Sequence, residues 1–121
     1  MKYTHYAPKG ILSVVEGKQD AVIGTINELV RQKKANGFTT GVLATQETKE
    51  AYEADVVLVV GTRTDEATVS AGLYAMLREF DRLGTEYMYS ESFAGDEFGG
   101  AIMNRLLKSA GHRIITASDE K

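Results

Sequence analysis

The sequence predicts an α/β fold, a three-layer α/β/α sandwich whose mainly parallel, five-stranded sheet is Rossmann-like or flavodoxin-like. Short β-branched runs alternate with longer segments of helical period, which is the pattern of a parallel sheet covered by helices. Residues 56–60 form an apolar run without polar alternation, as is typical of a strand buried on both faces. The 121 residues have the usual length of one domain.

The first half of the chain supplies two strands and a long helix. Residues 11–15 form the first predicted strand, and Gly17 separates it from a helix that Asn36-Gly37 ends. Residues 40–44 form the second strand, and residues 46–52 are predicted to form a short helix. The long helix buries one apolar face. Its opposite, solvated face carries Asn27, Glu28, Arg31 and Lys34.

The third strand, residues 56–60, is placed at the centre of the sheet because it is apolar throughout. The next helix is predicted to begin at Thr64 or Asp65, either of which can cap it, and to end at Gly84. Gly72 interrupts this helix. Because a glycine inside a helix costs about 1 kcal/mol relative to alanine, we expect Gly72 to permit a close approach of the helix to the sheet.

The C-terminal part of the chain completes the predicted sheet. Residues 86–89 form the fourth strand, and a last helix ends at Gly111 before a fifth strand at residues 113–116. Residues 1–10 show neither helical nor strand period. We therefore divide the chain into an extended N-terminal arm, residues 1–10, and a single α/β domain, residues 11–121.

Composition excludes several classes of function. The chain has no cysteine, which rules out disulfides, thiol catalysis and cysteine-based zinc sites and favours a cytoplasmic location. Its net charge is −3 and its basic residues are spread along the chain, so no direct binding to nucleic acid is expected. No apolar run approaches the length of a membrane span. The only histidines, His5 and His112, suggest no catalytic arrangement, so we predict no catalytic residue, metal site or cofactor in this chain.

A candidate binding loop follows the third strand. Gly61, Thr62, Arg63 and Thr64 lie between this strand and a helix, at the carboxyl edge of the sheet where α/β folds bind ligands. Free backbone N–H groups at a helix start, together with the Arg63 guanidinium, suit the binding of a phosphate group, such as that of a nucleotide, or of a carboxylate. The alternative interpretation is a turn with a helix cap and a solvated arginine.

A second candidate for the same edge is the glycine-rich approach to the last helix. Gly99 and Gly100 precede the helix, and Asn104 and Arg105 lie on its first turns. The alternative interpretation is electrostatic. Asp96 and Glu97 complement the positive end of the helix dipole, and in that position they repel an anion.

The N-terminal arm carries aromatic and titratable groups without a core of its own. Tyr3, His5 and Tyr6 fall within a span of four residues. One interpretation is an arm that packs on its own domain. The other is a linker that docks on another domain and supplies hydrogen-bond donors or a gate to the pocket of that domain.

Two segments match a known pattern. Residues 1–8 read Met-Lys-Tyr-Thr-His-Tyr-Ala-Pro, which looks like a linker of pattern Ser-Pro-Gly-Met-basic-aromatic-x-His-Tyr-small-Pro. Residues 100–106 and 108–110 are similar to the closing helix of the same family. The chain thus resembles the C-terminal accessory domain, with interdomain linker, of the two-domain, long-form L-threonylcarbamoyladenylate synthases. It departs from them at Phe93 and at residues 97–99, where the family often has a proline and a Gly-Leu-Gly approach.

The resemblance implies a role in tRNA modification. The family condenses L-threonine, bicarbonate and ATP into threonylcarbamoyl-AMP and pyrophosphate, the first step towards threonylcarbamoyladenosine. It implies that ATP and magnesium bind to a catalytic domain of the same polypeptide that precedes Met1. It also implies that the linker covers the active-site mouth of that domain, a lid that excludes water from a reactive carbamoyl intermediate. The linker residues are Lys2, Tyr3, His5, Tyr6 and Pro8.

The resemblance leaves the role of the α/β body open. Three roles are compatible with it: anchoring the lid, sensing a nucleotide at the sheet edge, or providing a homodimer surface. A stand-alone nucleotide-binding or anion-binding module and a ligand-free interaction domain are the alternatives.

Overall fold

A computed structural model describes residues 6–93 and 100–117 of the chain. This part contains five strands, three α-helices and one short 3₁₀ helix. In chain order they are β1 (Ile11–Glu16), α1 (Gln19–Ala35), β2 (Thr40–Thr45), the 3₁₀ helix (Lys49–Ala51), β3 (Val56–Gly61), α2 (Glu66–Leu83), β4 (Tyr87–Glu91), α3 (Gly100–Ser109) and β5 (Ile114–Thr116).

The five strands form one sheet in the order β3-β2-β4-β1-β5, and every neighbouring pair is parallel. The predicted α/β architecture is therefore confirmed. The order is neither the 3-2-1-4-5-6 of the Rossmann type nor the 2-1-3-4-5 of the flavodoxin type, because β4 lies between β1 and β2. The hydrophobic periodicity of the sequence indicates which segments form strands. It does not indicate the order of the strands in the sheet, and so it does not predict that β4 lies between β1 and β2.

Two apolar cores lie on the two faces of the sheet, which gives the predicted three layers. One core joins α2 and α3 to the sheet, and the other joins α1 and Tyr52 to it. The largest fully buried side chains belong mainly to the first core. They are Phe80, Phe93, Leu12, Ile26, Leu43, Leu73, Leu77, Met88, Ile102 and Leu106.

The prediction that residues 56–60 form a central strand is wrong, because β3 lies at the edge of the sheet. Val56, Val57, Leu58 and Val59 are only half-buried, whereas Val60 is buried. Each face of β3 packs against a core, Val56 and Leu58 on one side and Val57 on the other. An apolar run indicates that both faces of a strand are covered. It does not indicate whether the strand has a neighbouring strand on each side.

The region between β2 and β3 also differs from the prediction. A single 3₁₀ turn, Lys49–Ala51, replaces the helix predicted over residues 46–52. Asn27 on α1, which we expected in solvent, is buried because its side-chain amide donates to Ala51 O at 2.9 Å and accepts from Glu53 N at 3.0 Å. The amide therefore supplies hydrogen-bond partners for two backbone groups in the segment between β2 and β3, which has little regular structure of its own.

Helix α2 begins and ends as predicted. The Asp65 carboxylate accepts from the Ala67 N–H at 3.2 Å and caps the first turn, so Asp65 is the N-cap rather than Thr64. Gly84 ends the helix in the left-handed conformation, with φ of 71°. None of the helices in the described part of the chain combines the length and apolar character that a membrane span requires.

Gly72 allows α2 to lie directly on β3, which confirms the expected close approach. A Cβ added at Gly72 would stand 2.1 Å from the carbonyl oxygen of Val60. Backbone atoms cannot yield as a flexible side chain can. Any larger residue therefore forces the helix away from the edge strand.

We expect Gly72→Ala to lower the free energy of unfolding by about 1–3 kcal/mol, the usual result of overpacking. Chemical denaturation of the two proteins measures the difference. Gly24→Ala in α1 is the matched control, since nothing lies within 4 Å of a Cβ at that position; it should stabilise the protein by about 0.5–1 kcal/mol. Equal effects of the two substitutions would contradict the close contact between α2 and Val60.

Candidate functional site

Polar side chains gather at the carboxyl edge of the sheet, where β2, β3 and β4 end. β2 and β4 are neighbours in the sheet, yet the chain leaves β2 towards β3 on one side and leaves β4 towards β5 on the other. Adjacent strands whose connections diverge in this way create a crevice, the usual ligand position of open α/β sheets. A ligand site is therefore expected at this edge.

A buried carboxylate lies at the centre of this edge. Glu91, at the end of β4, is 2% exposed. It accepts hydrogen bonds from Thr48 Oγ1 at 2.5 Å, Tyr52 Oη at 2.6 Å and Thr45 Oγ1 at 3.3 Å, and from Arg63 Nη2 at 3.0 Å. We call these five residues the Glu91 cluster. Burial, and then the nearby carboxylate, raises the pKa of Tyr52, so this hydroxyl stays a donor.

Arg63 closes the Glu91 cluster on the solvent side. Besides Glu91, its Nη2 donates to the carbonyl oxygen of Ser92 at 2.9 Å, and the guanidinium carbon lies 4.7 Å from the ring centroid of Phe93. Its Nε is buried and has no hydrogen-bond partner within the described residues. The guanidinium thus serves the protein's own carboxylate, and it is not a solvated arginine.

The predicted binding loop is held by a second carboxylate, that of Glu47. The Thr62 hydroxyl donates to Glu47 Oε2 at 2.6 Å, and the Arg63 N–H lies 3.1 Å from both carboxylate oxygens. Thr62 N–H donates instead to Thr68 Oγ1 at 2.9 Å. Hydrogen bonds, first from Thr62 and then from the Arg63 backbone, lower the pKa of Glu47. An external phosphate would have to displace Glu47, so anion binding at this loop stays a prediction.

The two ends of the predicted loop, Gly61 and Thr64, lie in different surroundings. Gly61 is required for packing, since a Cβ there would stand 2.6 Å from the backbone of Thr68 and Val69 in α2. Thr64 is exposed.

The second predicted group is spread along α3. Gly100 begins the helix and is exposed, as are Asn104 and Arg105. Arg105 Nη1 donates to Ser70 Oγ of α2 at 3.3 Å, so this guanidinium joins two helices. Gly99 lies outside the described residues.

The arm is fastened to the domain at the opposite end of the molecule. The Tyr6 hydroxyl donates to Asp81 Oδ2, and the Lys9 N–H donates to Asp81 Oδ1 at 2.9 Å. We call this pair of contacts the Asp81 clamp. The hydrogen bond to Asp81 raises the pKa of Tyr6. Tyr6 also packs against the core under α2 and α3, and Pro8 is half-buried.

The remaining arm residues assigned to the gate, Lys2, Tyr3 and His5, lie outside the described residues. The structure thus bears on the two interpretations of the arm only from Tyr6 onwards. Tyr6 contacts its own domain, and the residues before it remain assigned to the linker by prediction only.

A cavity of about 420 Å³ adjoins the arm at the amino edge of the sheet. Lys9, Gly10 and Ile11 form one wall of it, and Phe38 and Tyr87 form another. The two aromatic rings meet edge to face at 4.9 Å. This cavity and the Glu91 cluster therefore lie at opposite ends of the strands.

Sequence reasoning missed the three acidic residues that organise these sites. Glu91 fell outside a strand predicted to end at residue 89, because the polar pair Ser90-Glu91 breaks the apolar pattern and favours a loop. Asp81 has no distinguishing signal, because an acidic residue on a helix surface is common. Glu47 follows the end of β2 by two residues, and its contact with Thr62 depends on tertiary structure.

Comparison with known proteins gives a consistent result. The family model described as "Threonylcarbamoyl-AMP synthase, C-terminal domain" matches residues 1–111. The chain is 44% identical over 115 residues to a threonylcarbamoyl-AMP synthase of Bacillus subtilis and 38% identical over 115 residues to one of Pyrococcus abyssi. Each match covers 95% of this chain and 32% of the relative. The chain thus spans about a third of the length of these curated relatives.

Solved structures agree with the sequence matches. The crystal structure of P. abyssi Sua5 complexed with L-threonine superposes with a TM-score of 0.79 at 34% identity, over 98% of this chain and 33% of that one. The crystal structure of the C-terminal Sua5 domain from Pyrococcus horikoshii gives a TM-score of 0.74 at 33% identity, over 92% of this chain and 100% of that one.

The Glu91 cluster predicts a strong dependence of stability on Arg63. Arg63→Met leaves a carboxylate buried without its cation, which should lower the free energy of unfolding by about 3 kcal/mol. Arg82→Met is the control, because Arg82 pairs with Glu79 on the surface and its loss should have a much smaller effect. Denaturation at pH 7 measures both variants. An effect of Arg63→Met no larger than that of Arg82→Met would show that Glu91 does not need this cation.

Glu47 predicts a pH-dependent contribution to stability. Folding lowers its pKa below the ordinary value of 4.5, so its ionised form stabilises the native state above that pH. This contribution is lost as the pH falls through the lower, native-state pKa. We expect Glu47→Gln to be less stable than the parent protein at pH 7, with the difference shrinking below pH 4.5. Denaturation across this range tests the sign, and a difference that grows on acidification would contradict it.

Proposed function

The chain belongs to the family of threonylcarbamoyl-AMP synthase C-terminal domains, and on this premise we propose that it is a regulatory and gating accessory domain. It acts within a longer polypeptide whose catalytic domain forms threonylcarbamoyl-AMP from L-threonine, bicarbonate and ATP for tRNA modification. ATP and magnesium are assigned to that catalytic domain. The α/β body contributes by anchoring the linker that covers the active site.

The Asp81 clamp is the observation that carries this proposal. Asp81 lies near the C-terminal end of α2, and its two carboxylate oxygens receive separate arm donors, the Tyr6 hydroxyl and the Lys9 N–H. A carboxylate held on a packed helix fixes two points of the arm at once. The arm therefore leaves the domain from a defined position.

Contacts beyond the clamp fix the arm further. The Ile11 N–H donates to the carbonyl oxygen of Glu86 at 2.9 Å, at the start of β1. Gly10 lies so close to Thr85 that a Cβ there would stand 2.4 Å from the Thr85 carbonyl oxygen. From Tyr6 to β1 the arm thus follows a single path over the amino edge of the sheet.

This anchoring gives the gate its mechanism. Lys2, Tyr3 and His5 precede the anchored Tyr6, and five residues span at most about 18 Å. The anchor therefore limits the volume in which these side chains act, and so lowers the entropy lost when the linker closes over a neighbouring active site. A closed linker excludes water from the carbamoyl intermediate. Tyr6, on this proposal, serves as the anchor of the gate.

The prediction concerns the longer protein that contains the catalytic domain. Asp81→Ala removes the acceptor of both arm donors, so the linker loses its fixed origin. We expect the turnover number for threonylcarbamoyl-AMP formation to fall between about 10- and 100-fold, the range that misplaced catalytic geometry produces. Release of pyrophosphate from ATP, measured in the presence of L-threonine and bicarbonate, reports the rate.

Two further variants make this test specific. Arg82→Ala changes the neighbouring residue, which is exposed and pairs with Glu79 of its own helix, and should leave turnover unchanged. His5→Ala tests the gate itself and should lower turnover without changing the thermal stability of the domain. Turnover that is unaffected by both Asp81→Ala and His5→Ala would refute the gating function. A loss with His5→Ala alone would retain the gate and refute the anchor.

A further inference from the structure

Exposed apolar side chains gather at the amino edge of the sheet, around the cavity beside the arm. The described residues expose four large hydrophobic side chains, those of Ile11, Phe38, Leu83 and Ile114. Ile11 and Phe38 line the cavity, and Leu83 directly precedes Gly84, which also lines it. Single exposed hydrophobic residues are normal on a protein surface, whereas contiguous ones mark an interaction site. Three of the four lie at or beside one cavity.

The topology of the fold brings these residues to the same end of the molecule. Ile11 begins β1 and is paired with Tyr87 at the start of β4. Phe38 lies two residues before β2, and its ring meets the ring of Tyr87 at 4.9 Å. Leu83 ends α2, the helix that returns the chain from the carboxyl end of β3 to the amino end of β4. We call Ile11, Phe38, Leu83 and Tyr87 the amino-edge patch.

The amino-edge patch and its surroundings have the composition of a protein interface. Ile11, Phe38 and Leu83 are 42%, 37% and 43% exposed. Lys9 and Glu86, which also line the cavity, are exposed charged residues. An apolar centre that contains aromatic rings and is surrounded by polar side chains is the usual arrangement of an interface. The cavity of about 420 Å³ provides space into which a partner's side chain can insert.

We propose that the amino-edge patch is the surface on which the catalytic domain of the same polypeptide docks. The inference rests on the proposed function, because that function supplies the domain that precedes the arm. It goes beyond that function by assigning the catalytic domain a place on the α/β body, at the end of the strands opposite to the Glu91 cluster.

The path of the arm identifies the occupant of the patch. Tyr6 is held by Asp81, and Asp81 itself lines the cavity. The arm therefore meets the α/β body at the rim of the patch. On the proposed function the catalytic domain precedes Met1, and the five residues before Tyr6 span at most about 18 Å. A domain on so short a tether is held beside the amino-edge patch.

The tether also explains why so small a patch is sufficient. A short flexible linker holds two domains at an effective concentration in the millimolar range. A contact with a dissociation constant well below that concentration is occupied within one polypeptide, even where it is too weak to join separate molecules in dilute solution. A second copy or a free protein lacks this advantage. The catalytic domain is therefore the partner that a patch of four side chains fits.

Protection of an introduced thiol tests the docking directly, because the chain has no cysteine. Leu83→Cys and Phe38→Cys each place a reporter in the amino-edge patch. Peptide mass mapping compares the alkylation rate of each reporter in this chain alone and in the longer protein. A solved relative consists of this domain alone, so the isolated chain is a suitable reference. We expect both reporters to react about tenfold more slowly in the longer protein, as an interface occupied about nine-tenths of the time requires.

Ile114→Cys is the matched control. Ile114 is 44% exposed on β5 and lies outside the amino-edge patch, so its alkylation rate should be the same in the two proteins. A second substitution links the two reporters: Phe38→Glu in the longer Leu83→Cys protein should restore the alkylation rate of the isolated chain.

Three results overturn the docking. One is equal alkylation of the patch reporters in the isolated chain and in the longer protein. Another is an equal slowing at Ile114→Cys, which would show that the protection is not specific to the patch. The third is slow alkylation of the patch reporters in the isolated chain, because the chain itself or a second copy would then cover the patch.

The docking and the gate can fail separately, because alkylation reports the first and turnover reports the second. If Asp81→Ala and His5→Ala lower turnover while the patch reporters stay reactive in the longer protein, the gate is retained and the docking surface is refuted. If the reporters are protected in a protein whose turnover is insensitive to both variants, the docking surface is retained and the gate is refuted.

Discussion

The ionised side chain of Glu91 is the constraint on which the carboxyl edge of the sheet depends. A charge that is 2% exposed is tolerated only if its oxygens are satisfied, and here the donors come from β2, from the turn after it and from the loop before α2. Each donor must therefore keep its place for the others to remain satisfied. The cluster ties four separate segments together at the point where this architecture usually binds a ligand.

Because the polar groups of the carboxyl edge are engaged in this way, the proposed function rests on the arm, at the other end of the strands. At the carboxyl edge, the groups that suit an anion contact the protein's own carboxylates, Glu47 and Glu91. At the amino edge, a single carboxylate on α2 receives two donors from a segment outside the sheet. The first set of contacts stabilises the carboxyl edge, and the second fastens residues 6–9 to α2.

The sequence predicts most of what depends on local periodicity, with the helix over residues 46–52 as the exception, and fails where lateral position matters. Helix ends, the layers and the close approach at Gly72 follow from spacing and from the properties of glycine. The edge position of β3 could not be predicted, because apolar side chains fill two faces equally well in a central strand and in an edge strand. Of the site residues, Arg63 was found through its place after a strand, but its partner Glu91 is distant in sequence and only the folded chain brings them together.

The insertion of β4 between β1 and β2 also determines the order in which the fold can form. β1 has no strand neighbour until β4 has been made, since its two partners are β4 and β5. A nascent chain emerging from the ribosome can thus pair β2 with β3 while β1 waits for residues some 75 positions later. Pairing over such separations slows folding. It also makes the domain indivisible, because a fragment that ends before β4 has lost the strand that joins its two halves.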